Sequence, residues 1–196
     1  MNATTMPPAW AETLLRLLLG RRDFVTVSGD LLEEYRESIQ PSLGQGRADA
    51  WYVRQVFSFA WRRAWVWAAL FALAFTGRTA LDWFVPTSDY EFRAASTTFV
   101  AAAILLAAGF SAGSRSASFG AGPIVGFTTA ALALPLKLAG LAALLAISHD
   151  ANTLAAARDS GGLEEALTLP LLMLVPGFLL GAIGGLVGAA VASFRS

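Results

Sequence analysis

The chain has 196 residues, of which 56% are hydrophobic and 14% charged, and its 14 basic residues balance 14 acidic ones. A soluble domain of this size could not hide so much apolar surface from water, so composition points to lipid as the solvent. The net charge of +0 excludes a global basic field suited to nucleic acid, and the lack of cysteine excludes disulfides, thiolate metal sites and Cys nucleophiles. Thirteen arginines against one lysine, with abundant alanine, fit a GC-rich bacterial genome.

Residues 1–63 are expected to form a helical head. Pro8 near the start and Gly20 past the end bracket a short amphipathic helix carrying Trp10, Leu14, Leu15, Leu17 and Leu18. A second helix over about 22–40 repeats Phe24, Val27, Leu31, Tyr35 and Ile39 at spacings of three and four, and Pro41 is expected to stop it. Its other side carries Asp30, Glu33, Glu34 and Glu37. With Asp30 facing Glu34 and Glu33 facing Glu37, these carboxylates read as a solvated helix face, the alternative being an interaction surface for a partner. After a flexible link at 42–46, a third helix from about Arg47 carries Trp51, Val53, Gln55 and Phe57 and runs on into the first membrane span. The apolar run 14–19 is interrupted by Arg16 and is too short for a cleavable signal peptide, so the head is expected to remain in the cytosol.

The strings PPAWAETLLRLLL, GDLLEEYRE and RADAWYVRQV follow one another over residues 7–56. In that order they resemble the permease prefix domain found at the front of bacterial ABC-type permeases of the macrolide-exporter class. The resemblance implies a small helical cytosolic module ahead of a transmembrane helix, and it brings no catalytic residues with it. The chain has no room for the large periplasmic domain and remaining core of such permeases. The expectation is therefore a standalone prefix module on its own four-helix anchor, with transport not carried over.

Four apolar stretches follow, at about 64–85, 94–113, 123–147 and 166–193. Each reaches the roughly 20 residues a helix needs to cross about 30 Å of hydrocarbon, where every backbone group must be satisfied internally. The expected fold class is all-α, a polytopic membrane protein with a small N-terminal module (1–63) and a four-helix transmembrane bundle (64–196). Eight arginines precede the first span, Arg62 and Arg63 at its mouth. Arg115 follows the second span, and Arg195 follows the fourth. The loops at 86–93 and 148–165 are acidic on balance. Basic flanks stay inside, so both termini are expected in the cytoplasm of a bacterial inner membrane. Trp61, Trp65, Trp67, Trp83 and Phe84 sit where amphipathic rings favour the headgroup layers.

Within the spans, Lys137 stands about 20 Å from either face, too deep for its side chain to snorkel. The expectation is a pair with Asp82 tying spans one and three. It would act either as a register-fixing ion pair or as a site for an anion or proton. Arg78, one turn before Asp82, is the competing partner, with Lys137 then left to carbonyls freed by Pro135. In span four, Gly177, Gly181, Gly184, Gly185 and Gly188 form small-xxx-small pairs that invite close helix packing, within the chain or with a second copy. Pro170 and Pro176 imply a kink in its outer half.

Residues 109–113 spell the G-x-S-x-G of serine hydrolases, but Ser111 and the single histidine, His149, fall at opposite ends of their spans. The pattern therefore reads as coincidence, and His149 with Asp150 falls short of a metal site. No enzyme activity, cofactor or metal is expected. The leading functional expectation is an accessory or regulatory subunit of a permease or another membrane complex. The alternative is a small homo-oligomeric transporter or channel using Lys137.

Overall fold

The computed structural model describes residues 6–148, 150–159, 168 and 171–194. These residues are helical throughout, apart from turns and short connections. In chain order the helices are α1 (Ala9–Leu18), α2 (Arg21–Glu34), a π-turn (Tyr35–Ile39), α3 (Gln40–Leu43), α4 (Gln45–Phe84), α5 (Tyr90–Ser116), α6 (Ala121–Ile147), α7 (Ala151–Asp159) and α8 (Leu174–Ser193). Four of them, α4, α5, α6 and α8, are long and apolar enough to cross a membrane. Their outward faces carry large apolar side chains, with Phe99 76% and Leu73 67% exposed, whereas the inward contacts are largely alanine and glycine. In water such a surface would be an aggregation liability; in lipid it is solvated.

Helix α5 packs most extensively on α8, and α6 touches α4, α5 and α8, so α4 and α8 flank the α5–α6 pair. Helix α4 has 40 residues. At 1.5 Å per residue it is about 60 Å long, twice the thickness of a bilayer's hydrocarbon layer. The conspicuous aromatics of this helix do not mark its packed face: Phe57, Trp61 and Trp65 are exposed, while Ala48, Tyr52, Val56, Ala60, Ala64 and Ala68 form the buried row. Spacing of four keeps one ridge on one side of the helix, and small residues along it let neighbours approach.

Onto the first half of that row folds α1, whose Ala11, Leu15 and Leu18 are buried together with Tyr35. The same apolar cluster continues through Ala60 and Ala64 to Ala108 and Ala112 of α5 and Ala121 and Val125 of α6. The head is thus packed onto one end of the bundle.

Pro41 does not stop the second helical segment. The wide turn at 35–39 closes with the N–H of Gln40 donating to the carbonyl of Tyr35, and the chain re-enters α-helix with Pro41 in the first turn of α3, where a missing N–H costs nothing. Tyr35 opens this π-turn. Its hydroxyl donates to Asp49 at 2.5 Å and accepts from the side chain of Gln45 at 2.8 Å, and its ring meets Tyr52 edge-on with centroids 5.9 Å apart.

The fourth span is described in part. Residues 166, 167 and 169 and Pro170 lie outside the described residues; among the described ones Leu171 and Leu172 are helical, Met173 is a turn, and α8 runs on from Leu174. Pro176 has no N–H for the carbonyl of Leu172, which accounts for a break at this point, and it sits in the first turn of α8.

Burial, followed by the hydrogen bond to Asp49 and the charge on that carboxylate, pushes the Tyr35 hydroxyl from 10.0 to about 12. The neutral phenol is favoured in the fold, so its contribution is intact below pH 10.0 and is lost as pH rises through about 12. Chemical denaturation across that window is expected to show a steeper loss of stability for the native chain than for Tyr35→Phe. Identical slopes would remove Tyr35 as the group responsible.

Candidate functional site

The charged residues inside the bundle gather near the far end of α4, away from the head. Asp82 is 3% exposed. Its carboxylate receives Arg78 Nε at 3.1 Å from one turn earlier and Arg93 Nη1 at 3.3 Å from the first turn of α5. The same Arg93 nitrogen donates to the carbonyl of Val85 at 2.8 Å and to that of Leu81 at 2.9 Å, which also accepts the N–H of Val85 that closes α4. One guanidinium therefore pairs a buried acid, caps α4 and ties it to α5. Nothing in apolar periodicity marks Arg93. The available signal is the shortness of the connection, which returns the chain beside Asp82 within a turn of restarting.

Lys137 is 5% exposed in the middle of α6, two residues after Pro135, and its Nζ lies 5.1 Å from the centroid of the Phe75 ring. A ring face attracts a cation, and more strongly where water is scarce. Phe75 in turn leans on Phe71, centroids 4.9 Å apart. Arg78 and Asp82 thus meet directly, while Lys137 is seated against α4 through Phe75.

The glycines of α8 are used inside the chain. A Cβ on Gly181 would stand 2.6 Å from the carbonyl oxygen of Gly122 and 2.9 Å from the Cα of Gly126, both backbone atoms of α6. On Gly177 it would meet the carbonyl of Gly126 at 2.9 Å, and on Gly185 the Cα of Gly122 at 2.7 Å. Gly184 and Gly188 present the same obstruction to the α5 carbonyls of Leu106 and Phe110.

This geometry also accounts for the G-x-S-x-G pattern. Gly109 and Gly113 are the places where α5 lies against the carbonyls of Gly181 and Gly185, and Ser111 sits between them within an unbroken helix rather than on a strand-to-helix elbow. His149 lies outside the described residues. Asp150 caps α7, its carboxylate accepting from the N–H of Thr153 at 2.8 Å and the hydroxyl of Thr153 at 2.6 Å.

Asp30, Glu33, Glu34 and Glu37 are all exposed and border a shallow depression with Ser38. Among the described residues no three His, Asp or Glu side chains stand where they could hold a metal ion. Compared with protein-family models, curated proteins and solved structures, the chain matches none.

Removing one member of a buried ion pair strands the other. Asp82→Ala is accordingly expected to destabilise the protein by about 3–5 kcal/mol in detergent-based unfolding, and a loss under about 1 kcal/mol would show that the arginines find other partners. Gly181→Ala forces α8 away from backbone that cannot move aside; a cost of about 1–3 kcal/mol is expected, and an unchanged melting curve would contradict the packing described.

Proposed function

We propose that the chain is a multi-pass protein of a bacterial inner membrane, with both termini in the cytoplasm, that works by interaction. It serves as an accessory or regulatory subunit of an ABC-type permease or a related membrane complex. The likeness of residues 7–56 to the permease prefix supports the partner class, and the arginines before the first apolar stretch and at Arg115 support the orientation.

The observation that carries the reading is the exposed acidic row Asp30, Glu33, Glu34 and Glu37 on a head that packs against the bundle. A charged face held in place on the cytosolic side is a surface for a complementary basic partner, and charge of this kind sets orientation and association rate more than affinity. A small homo-oligomeric transporter using Lys137 is the second reading, favoured by burial of that amine to 5% exposure. Self-association through the α8 glycines is disfavoured, because those faces are already filled.

Affinity purification in mild detergent with mass spectrometry separates the two. A permease subunit in fixed stoichiometry is expected with the native chain and is expected to vanish with Glu33→Lys plus Glu37→Lys, whose melting should match the native chain. Recovery of the chain alone as a homo-oligomer that carries flux in liposomes would replace this reading with the second.

A further inference from the structure

Helix α4 carries an aromatic stripe that the other described helices leave open. Phe57, Trp61 and Trp65 follow one another at four-residue spacing and are 54%, 57% and 54% exposed. The head packs on another side of this helix, through Ala48, Tyr52 and Val56. Further along, the outward surface of α4 continues with Leu70, Leu73 and Leu81, all exposed. No element interrupts the run, so whatever solvates those leucines extends to the tryptophans.

The stripe is also basic. At about 100° per residue Arg54 projects within about 20° of both Trp61 and Trp65, and Arg62 follows Trp61 directly. Both arginines are exposed, and from Ala50 to Leu81 the helix holds no Asp or Glu. Among the described residues neither Arg54 nor Arg62 forms an ion pair. Water would solvate the guanidiniums and not the rings. A second copy would cover the rings, but a symmetric contact through this face would set like charges together. An anionic lipid surface suits both components, since amphipathic rings favour the headgroup layer and arginine stems can lie beside them while their planar forks meet phosphate.

We propose that α4 leans on the bilayer through this stripe and that the surface it selects is anionic phospholipid, with the aromatic rings among the headgroups and Arg54 and Arg62 on their phosphates. From Phe57 to Trp65 the helix rises about 12 Å, against about 5–8 Å for one headgroup layer, so contact along the stripe requires α4 to tilt toward the membrane, as spanning helices do. The surface is independent of any permease partner and of which side of the membrane holds the head.

The chain has no cysteine, so one introduced thiol takes a label uniquely. Full-length Phe57→Cys carries a spin label, with Leu43→Cys, exposed on α3, as the reference. Each is placed in nanodiscs of phosphatidylcholine with or without phosphatidylglycerol, and access of a neutral, water-soluble nickel chelate is measured. Adding phosphatidylglycerol is expected to lower access at position 57 and to leave position 43 unchanged. Arg54→Gln plus Arg62→Gln is expected to abolish that loss. If Phe57→Cys fails to fold, Trp61→Cys carries the label instead. Access at position 57 equal to that at 43, shielding that is the same in the two lipids, or a phosphatidylglycerol effect that survives the double substitution would each overturn the proposal.

Discussion

Backbone laid directly on backbone between α8 and the α5–α6 pair is the contact on which the bundle depends. Lipid tails are as apolar as leucine, so burying a leucine between helices gains little over leaving it in the bilayer. What remains is the density of van der Waals contact, which rises as helix axes approach. The obstructed Cβ positions on Gly109, Gly113, Gly122, Gly126, Gly177, Gly181 and Gly185 are the imprint of that approach, since each would penetrate a backbone atom of the neighbouring helix. Larger apolar residues are displaced to the outside, where Phe178, Ile183 and Leu186 of α8 are each at least half exposed. Helix α4 joins on different terms, through Ala68, Ala72, Phe71 and Phe75 set among Ala101, Leu105, Ala130 and Ala133.

Weaker closure between α4 and α5 gives the polar cluster its purpose. An acid as buried as Asp82 is tolerated only if its charge is met on several sides, and Arg78 meets it from its own helix. Arg93 brings the charge across. Because the same nitrogen also serves carbonyls at the end of α4, breaking the pair would weaken the acid's compensation and the helix end together. The laterally open cleft between α4 and α5 beside it is the geometric remainder: two helices held at one end by a long side chain need not close along their length.

Much of this was legible in the residues, because the strongest signals are those set by the solvent. Apolar length located α4, α5 and α6, and the glycine spacing of α8 marked its packing face. What escaped was set by tertiary contact. Pro41 reads as a stop, yet a single wide turn beginning at Tyr35 absorbs it, and no local pattern distinguishes the two outcomes. The row at Ala48, Ala60 and Ala64 is hidden because alanine is unremarkable in an alanine-rich chain, whereas the more visible Trp61 and Trp65 face outward. Gly109 and Gly113 resembled a catalytic pattern because a flat helix face and a nucleophile elbow both call for small residues around a serine. Arg93 was legible as charge and not as position, since its partner is chosen by the return angle of the turn.

Continuity of α4 has a mechanical consequence. Its row of buried residues passes from the head into the bundle without a break, and the head also touches the near ends of the other helices: a Cβ on Gly20 would stand 3.1 Å from the carbonyl of Ser116, and one on Gly120 would stand 2.6 Å from the Leu17 side chain. Swinging the head on a hinge would expose Leu15, Leu18 and Tyr35, each at most 1% exposed. At about 1.5–3 kcal/mol for each large side chain, that costs more than a tilt of the whole rod in a fluid bilayer. Helix α4 thus connects the head rigidly to the end where Asp82, Arg78 and Arg93 hold α5 and border the cleft.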